Sequence, residues 1–178
     1  MYRAMLTGVL VAAAGLTAPA VSSPGIEEFR AVLAGFNEVG ALNAETGAIL
    51  SQGSGTLDLR LNENTQTLTF TLKFQNLGSA VTQSHIHFGK IHTPGGVMVF
   101  FCSNLATAPS GTQPCPASGG TVTGTLTAAD VQAIAGQNVP AGDFNAVAAA
   151  LMSDTAYVNV HTTNFPAGEI RGQVVREF

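Results

Sequence analysis

The strongest constraint on this chain lies in residues 156–174, AYVNVHTTNFPAGEIRGQV, where side-chain character alternates with a period of two on either side of a short turn rich in Thr, Asn, Pro and Gly. A period of two sends successive side chains to opposite faces of an extended strand. In the first arm Ala156, Val158 and Val160 share one face, and Tyr157, Asn159 and His161 share the other. In the second arm Ile170, Gly172 and Val174 oppose Glu169, Arg171 and Gln173. Closing the turn gives a half-buried antiparallel hairpin whose two polar faces become one. Asn159, His161, Glu169 and Arg171 then fall within cross-strand reach of each other. So dense a polar cluster is either a hydrogen-bonded structural network or a site.

The same alternation recurs upstream. Phe29, Ala31, Leu33 and Gly35 lead through to Glu38 as a first strand, and residues 40–52 read as a loop. Segments 56–61 and 67–74 form a hairpin around Asn62, Glu63, Asn64 and Thr65, which tolerate turn dihedrals. That hairpin turns Leu57, Leu59, Leu61, Leu68, Phe70, Leu72 and Phe74 to the core. A strand bearing His85-Ile86-His87 follows. Next come a turn at 93–96 and the apolar run 97–101, suited to a strand buried on both faces. A Thr-rich strand covers Gly120–Leu126. The period then changes. Thr127 with Asp130 three residues on resembles a capping box and predicts a two-turn helix ending at Gly136. A second helix is expected over Phe144–Met152, with Phe144, Val147, Ala148 and Leu151 on one stripe. Many short strands and one or two short helices predict a mainly β fold, an antiparallel sandwich or barrel. With no internal repeat or linker, residues 21–178 read as a single domain.

Residues 1–20 read as an export signal. Arg3 precedes an apolar stretch, and Ala18-Pro19-Ala20 has the small-x-small form of a cleavage site. The apolar run is shorter than the ~20 residues a membrane helix needs, and no later segment has membrane character. The expected location is therefore periplasmic or extracellular. A formal net charge of −4 leaves no electrostatic footprint for nucleic acid. The two cysteines, Cys102 and Cys115, enclose a Ser/Thr/Pro/Gly-rich loop, and in an oxidising compartment they are expected to form a disulfide.

His85 and His87, two apart on a strand, project from one face. With His161 as a third ligand they can form a three-nitrogen site for zinc or copper. His92, Asn159, Thr162, Glu169 and Arg171 are candidate accessory groups. The competing reading is a metal-free network in which these groups satisfy one another, since each unpaired buried polar group costs ~1–3 kcal/mol. No nucleophile elbow or phosphate-cradling glycine loop is present, so no catalytic residue is assigned.

Three blocks carry a family resemblance. Tyr157-Val158-Asn159-Val160-His161-Thr162 with Pro166-x-Gly168-Glu169-Ile170-Arg171-Gly172-Gln173 resembles the C-terminal signature of the CHRD domain, named for chordin and widespread in exported microbial proteins. His85-Ile86-His87-Phe88-Gly89 is similar to its internal motif, and the stretch from Gly124 to Asp130 to its central segment. The Cys102–Cys115 loop looks like an insertion. The resemblance implies an exported immunoglobulin-like or superoxide-dismutase-like β-barrel with no established enzymatic activity. The function expected is a non-catalytic binding or structural role, with an unknown protein or glycan partner. The alternative is a mononuclear copper or zinc protein, for the dimetal dismutase centre takes more histidines than the four present.

Overall fold

A computed structural model describes residues 25–39 and 47–177. The expected signal segment and most of the 40–52 loop lie outside the described residues. The strands are β1 (Ile26–Ala34), β2 (Ser54–Asn62), β3 (Thr67–Gln75), β4 (Val81–Phe88) and β5 (Gly96–Ser103). After them come β6 (Gly120–Leu126), helix α1 (Phe144–Met152), β7 (Ala156–Thr162), β8 (Ile170–Gln173) and the short β9 (Val175–Arg176). All pairings are antiparallel, in the order β5-β4-β7-β8-β1-β2-β3-β6, with β9 also on β1. The sheet curls into a nearly closed barrel, and its end strands β5 and β6 meet at the seam.

The β2–β3 hairpin follows its sequence pattern. Leu57 pairs with Leu72, Leu59 with Phe70 and Leu61 with Leu68, and all six are buried. Helix α1 packs Phe144, Val147, Ala148, Ala150 and Leu151 inward, with Asp143 capping the Ala146 N–H at 3.1 Å. Cys102 and Cys115 form the expected disulfide, Cα atoms 5.0 Å apart. It fastens the connection after β5 across the seam, where Gln113 Nε2 also donates to the Thr123 carbonyl of β6 at 3.1 Å. Among the described residues no helix is long and apolar enough to cross a membrane.

Two expectations need correction. The helix predicted from Thr127 breaks into two separate 3-10 turns, Ala128–Asp130 and Ala135–Gln137. Asp130 does accept from the Thr127 N–H at 2.7 Å, but the chain becomes extended at Val131. There the Gln132 N–H donates to Met98 O at 2.8 Å, and Val131 and Val139 enter the core. A two-turn helix is marginal on its own, so these tertiary contacts prevail. The first strand ends at Ala34, not near Glu38, because a 3-10 turn at Gly35–Asn37 follows it. That turn is held by Glu38 N–H donating to Gly35 O at 3.1 Å and Asn37 Nδ2 to Arg171 O at 3.1 Å.

Candidate metal centre

Strand β7 is buried along its whole length, on both faces, and is not the half-buried strand that its alternation suggests. One face enters the barrel core; the other lies beneath the segment that joins β4 to β5. Antiparallel pairing of β4 with β7 sets His85 opposite Asn159 and His87 opposite Tyr157, while His161 faces Gln83 two pairs further along. Since β4 and β7 each alternate, the three imidazoles and Asn159 emerge on the same face. On the other flank of β4 the register against β5 shifts at Ser84/His85 and again at Ile86/His87. Such irregularities re-aim side chains locally, and Phe100 of β5 presents its ring edge-on to His85 at 4.5 Å.

One ligating nitrogen from each of His85, His87 and His161 falls within 4.8 Å of the other two. All three residues are buried, with 2%, 8% and 5% of their surface exposed. His87 Nδ1 lies 2.8 Å from Gly95 O, and His161 Nδ1 lies 2.9 Å from Pro166 O. A carbonyl oxygen only accepts, so both Nδ1 atoms carry the proton and both donate. Burial holds His85 neutral down to about 2, with repulsion from His161 and His87 adding to it. Burial likewise holds His87 down to about 4 and lowers His161. In a neutral ring with a protonated Nδ1, Nε2 is a bare lone pair. His87 Nε2 and His161 Nε2 point at the Asn159 amide oxygen from 3.1 and 2.9 Å. His85 Nδ1 sits 3.1 Å from His87 Nε2, and His85 Nε2 has no partner among the described residues. The single proton of a neutral His85 can join only one of these acceptors; the others converge on one point without a donor, a pattern suited to a cation.

The walls are rigid. His87 stacks on the Tyr157 ring, planes 3° apart and centroids 4.6 Å, and the Arg171 guanidinium lies on that ring 3.3 Å from its centroid. Arg171 donates onward to Thr93 O at 2.9 Å and Lys90 O at 3.3 Å, and Tyr157 Oη accepts from the Gly95 N–H at 3.1 Å. These bonds clamp residues 90–95 over the histidines. The carbonyls that orient His87 and His161 are the usual outer partners of ligating imidazoles.

The polar face predicted from sequence divides in two. His85, His87, His161 and Asn159 come together, and Arg171 braces them through Tyr157. Glu169 and Thr162 belong elsewhere. The Glu169 carboxylate accepts from Ser51 Oγ at 2.6 Å, Gly78 N at 2.7 Å and Thr162 Oγ1 at 2.7 Å. Regular alternation starts only at Ile170; Glu169 precedes the strand and follows Gly168, whose φ is +131°. His92 is exposed in a turn, with φ +61°, and is not in the cluster.

Glu38 joins the site unforeseen. It is 4% exposed, and desolvation raises its carboxyl to about 7 although Arg171, the Val39 N–H and the Asn159 amide pull the other way. The 3-10 turn breaks the strand's phase just ahead of it, so alternation could not show where it points. An acid beside a strand end was the one signal available.

The family model of the CHRD domain matches residues 29–174. Comparison with curated proteins gave no match. Comparison with solved structures gave none either.

Proposed function

The chain belongs to the CHRD domain family, and within that frame we propose that it is an exported metal-binding module holding one zinc or copper ion through His85, His87 and His161. The observation that carries this reading is the convergence of three neutral imidazoles, two of them with Nε2 lone pairs fixed inward by backbone carbonyls. Imidazole nitrogen suits both metals. Because the rings are held neutral by burial, protons do not compete with a metal near neutral pH. The Cys102–Cys115 disulfide agrees with an oxidising compartment, periplasmic or extracellular. The role proposed is binding without turnover. One cluster of three histidines, with the fourth histidine exposed, suits a mononuclear site and not a dimetal dismutase centre.

The test is elemental mass spectrometry of the full chain after export and purification. One equivalent of zinc or copper in wild type, absent from His85→Ala and His161→Ala, is the result expected. A wild-type protein that takes up neither metal, even after incubation with both, overturns the proposal.

A further inference from the structure

Three histidines leave a tetrahedral ion one donor short. Resting on the metal reading above, we infer that Asn159 supplies the fourth donor through Oδ1, and that Glu38 is the positioning residue that keeps the oxygen, not the NH2 group, turned toward the metal.

Asn159 Oδ1 already occupies the focus of the site, 2.9 Å from His161 Nε2 and 3.1 Å from His87 Nε2. Its side chain is 3% exposed, so no water from bulk competes easily for that place. An amide reversed end for end has the same shape and the opposite hydrogen-bonding character. With NH2 inward, Asn159 donates to both Nε2 atoms and uses the lone pairs a metal needs. The choice between the two orientations is made on the amide's other side, and there Glu38 stands. A carboxyl group keeps a carbonyl oxygen that accepts whether or not it is ionised, so it draws Nδ2 to itself and leaves Oδ1 facing the histidines. Gly168 makes room for that contact. A Cβ there would collide with the Glu38 carboxyl and sit 2.8 Å from Asn159 Nδ2, and its φ of +131° already favours glycine. Glu38 Oε1 has no hydrogen-bond partner among the described residues, and burial raises the carboxyl to about 7 against the pull of Arg171 and of the Asn159 amide. The 3-10 turn at Gly35–Asn37, tied to Arg171 O through Asn37, holds the acid in place.

The consequence is a closed site. Catalytic zinc centres keep a position open to water or substrate, whereas structural ones fill all four from the protein. Four donors from this chain make a holder of metal and leave no position for a substrate.

The experiment uses the full chain loaded with cobalt(II), whose visible spectrum reports the ligand sphere, and zinc affinity measured against a competing chelator. Glu38→Met is expected to weaken zinc binding by about 10–100-fold, the range for outer-shell partners of metal ligands. Glu38→Gln, whose carbonyl can still accept from Nδ2, recovers much of that loss. In an Asn159→Asp background the inner group has two oxygens and needs no orienting, so adding Glu38→Met costs nothing there, or gains affinity by removing a like charge. Azide leaves the cobalt spectrum of wild type unchanged and alters that of Asn159→Ala, where a position has opened. Circular dichroism confirms that each variant is folded; if Glu38→Met fails to fold, Glu38→Gln, which should bind zinc nearly as wild type does, and the azide comparison decide. If wild type binds neither cobalt nor zinc, the metal reading falls and this inference with it. If wild type binds metal but azide changes its spectrum, or Glu38→Met costs equally in both backgrounds, the closed site alone is refuted.

Discussion

Two buried polar clusters grow from the same β7–β8 hairpin, and they differ in how their hydrogen bonds close. Around Glu169 every group has its complement: one carboxylate receives two hydroxyls and a backbone N–H, all within 2.7 Å. Around Asn159 acceptors face acceptors. Burial and polarity are the same in both places. The mismatch is what marks a site, because a network built only to stabilise the fold would have been completed with donors. Removing the Glu169 carboxylate should therefore be the most damaging change. Glu169→Ala leaves Ser51, Gly78 and Thr162 donors unmatched in the interior. It should lower stability by about 3–5 kcal/mol, the scale on which removing a buried charged partner acts. Urea denaturation of the metal-free protein measures this, and a loss below about 1 kcal/mol would show that the two clusters are not of different kinds.

Metal supplied to the folded protein separates them next. A ligand at 100 times its dissociation constant stabilises the native state by about 2.7 kcal/mol if the unfolded chain does not bind it. Wild type and Glu169→Ala should both gain that increment, and His161→Ala should gain none. Thermal melts with and without zinc read the difference directly. Equal gains in all three proteins would place the metal somewhere other than the histidines.

Much of the barrel was legible in the residues, and the division of its polar face was not. Alternation at 56–74 located both strands and every inward side chain of the β2–β3 hairpin, because a period of two survives any amount of sheet twist. The same rule put His85, His87, Asn159 and His161 on one face. It failed at Glu169 and Glu38, each beyond a strand end: Glu169 follows a glycine at positive φ, and Glu38 follows a 3-10 turn. Past such a break the side-chain direction depends on backbone dihedrals that composition does not encode. The missing helix after Thr127 has a different cause. Its capping signal is real, as the Asp130 bond shows, but the competing bond to Met98 lies about thirty residues away in sequence and has no local signature.

Acid should distinguish the clusters by a smaller amount. An unfolded histidine takes up its proton near 6.5. In the native protein His87 resists until about 4 and His85 until about 2. Below 6.5 the unfolded state thus binds more protons, and stability falls as pH drops, by at most about 1.4 kcal/mol per pH unit for each ring. Glu38 acts with the opposite sign. Its carboxyl, raised from 4.5 to about 7, gives stability that is full below 4.5 and lost as pH rises through 7. Between 7 and 4.5 it offsets one histidine, so the steepest loss in metal-free protein should come just below pH 4.5. Urea midpoints across this range test the sign. Replacing His87 with Gln should flatten the slope by one ring, and a wild-type profile flat from pH 6.5 to 4 would contradict the neutral, buried state of the imidazoles.

The smallest effect belongs to His92, and it guards the assignment of the fourth donor. This histidine stands close in sequence to the cluster, two residues from Lys90, whose carbonyl Arg171 holds. A ring that swung inward would compete with Asn159 for the fourth place and give a site of four nitrogens. The turn opposes that movement: residues 90–93 are closed by Thr93 N–H and Oγ1 both bonding Lys90 O, at 3.1 and 2.8 Å, and Arg171 anchors that carbonyl and Thr93 O. His92→Ala should therefore change stability by less than about 0.5 kcal/mol, as for other surface positions, and leave zinc affinity unaltered. A tenfold loss of affinity would move the fourth ligand from Asn159 to His92. It would also require the 90–95 segment to open when metal binds, which hydrogen exchange at the Thr93 amide would then detect.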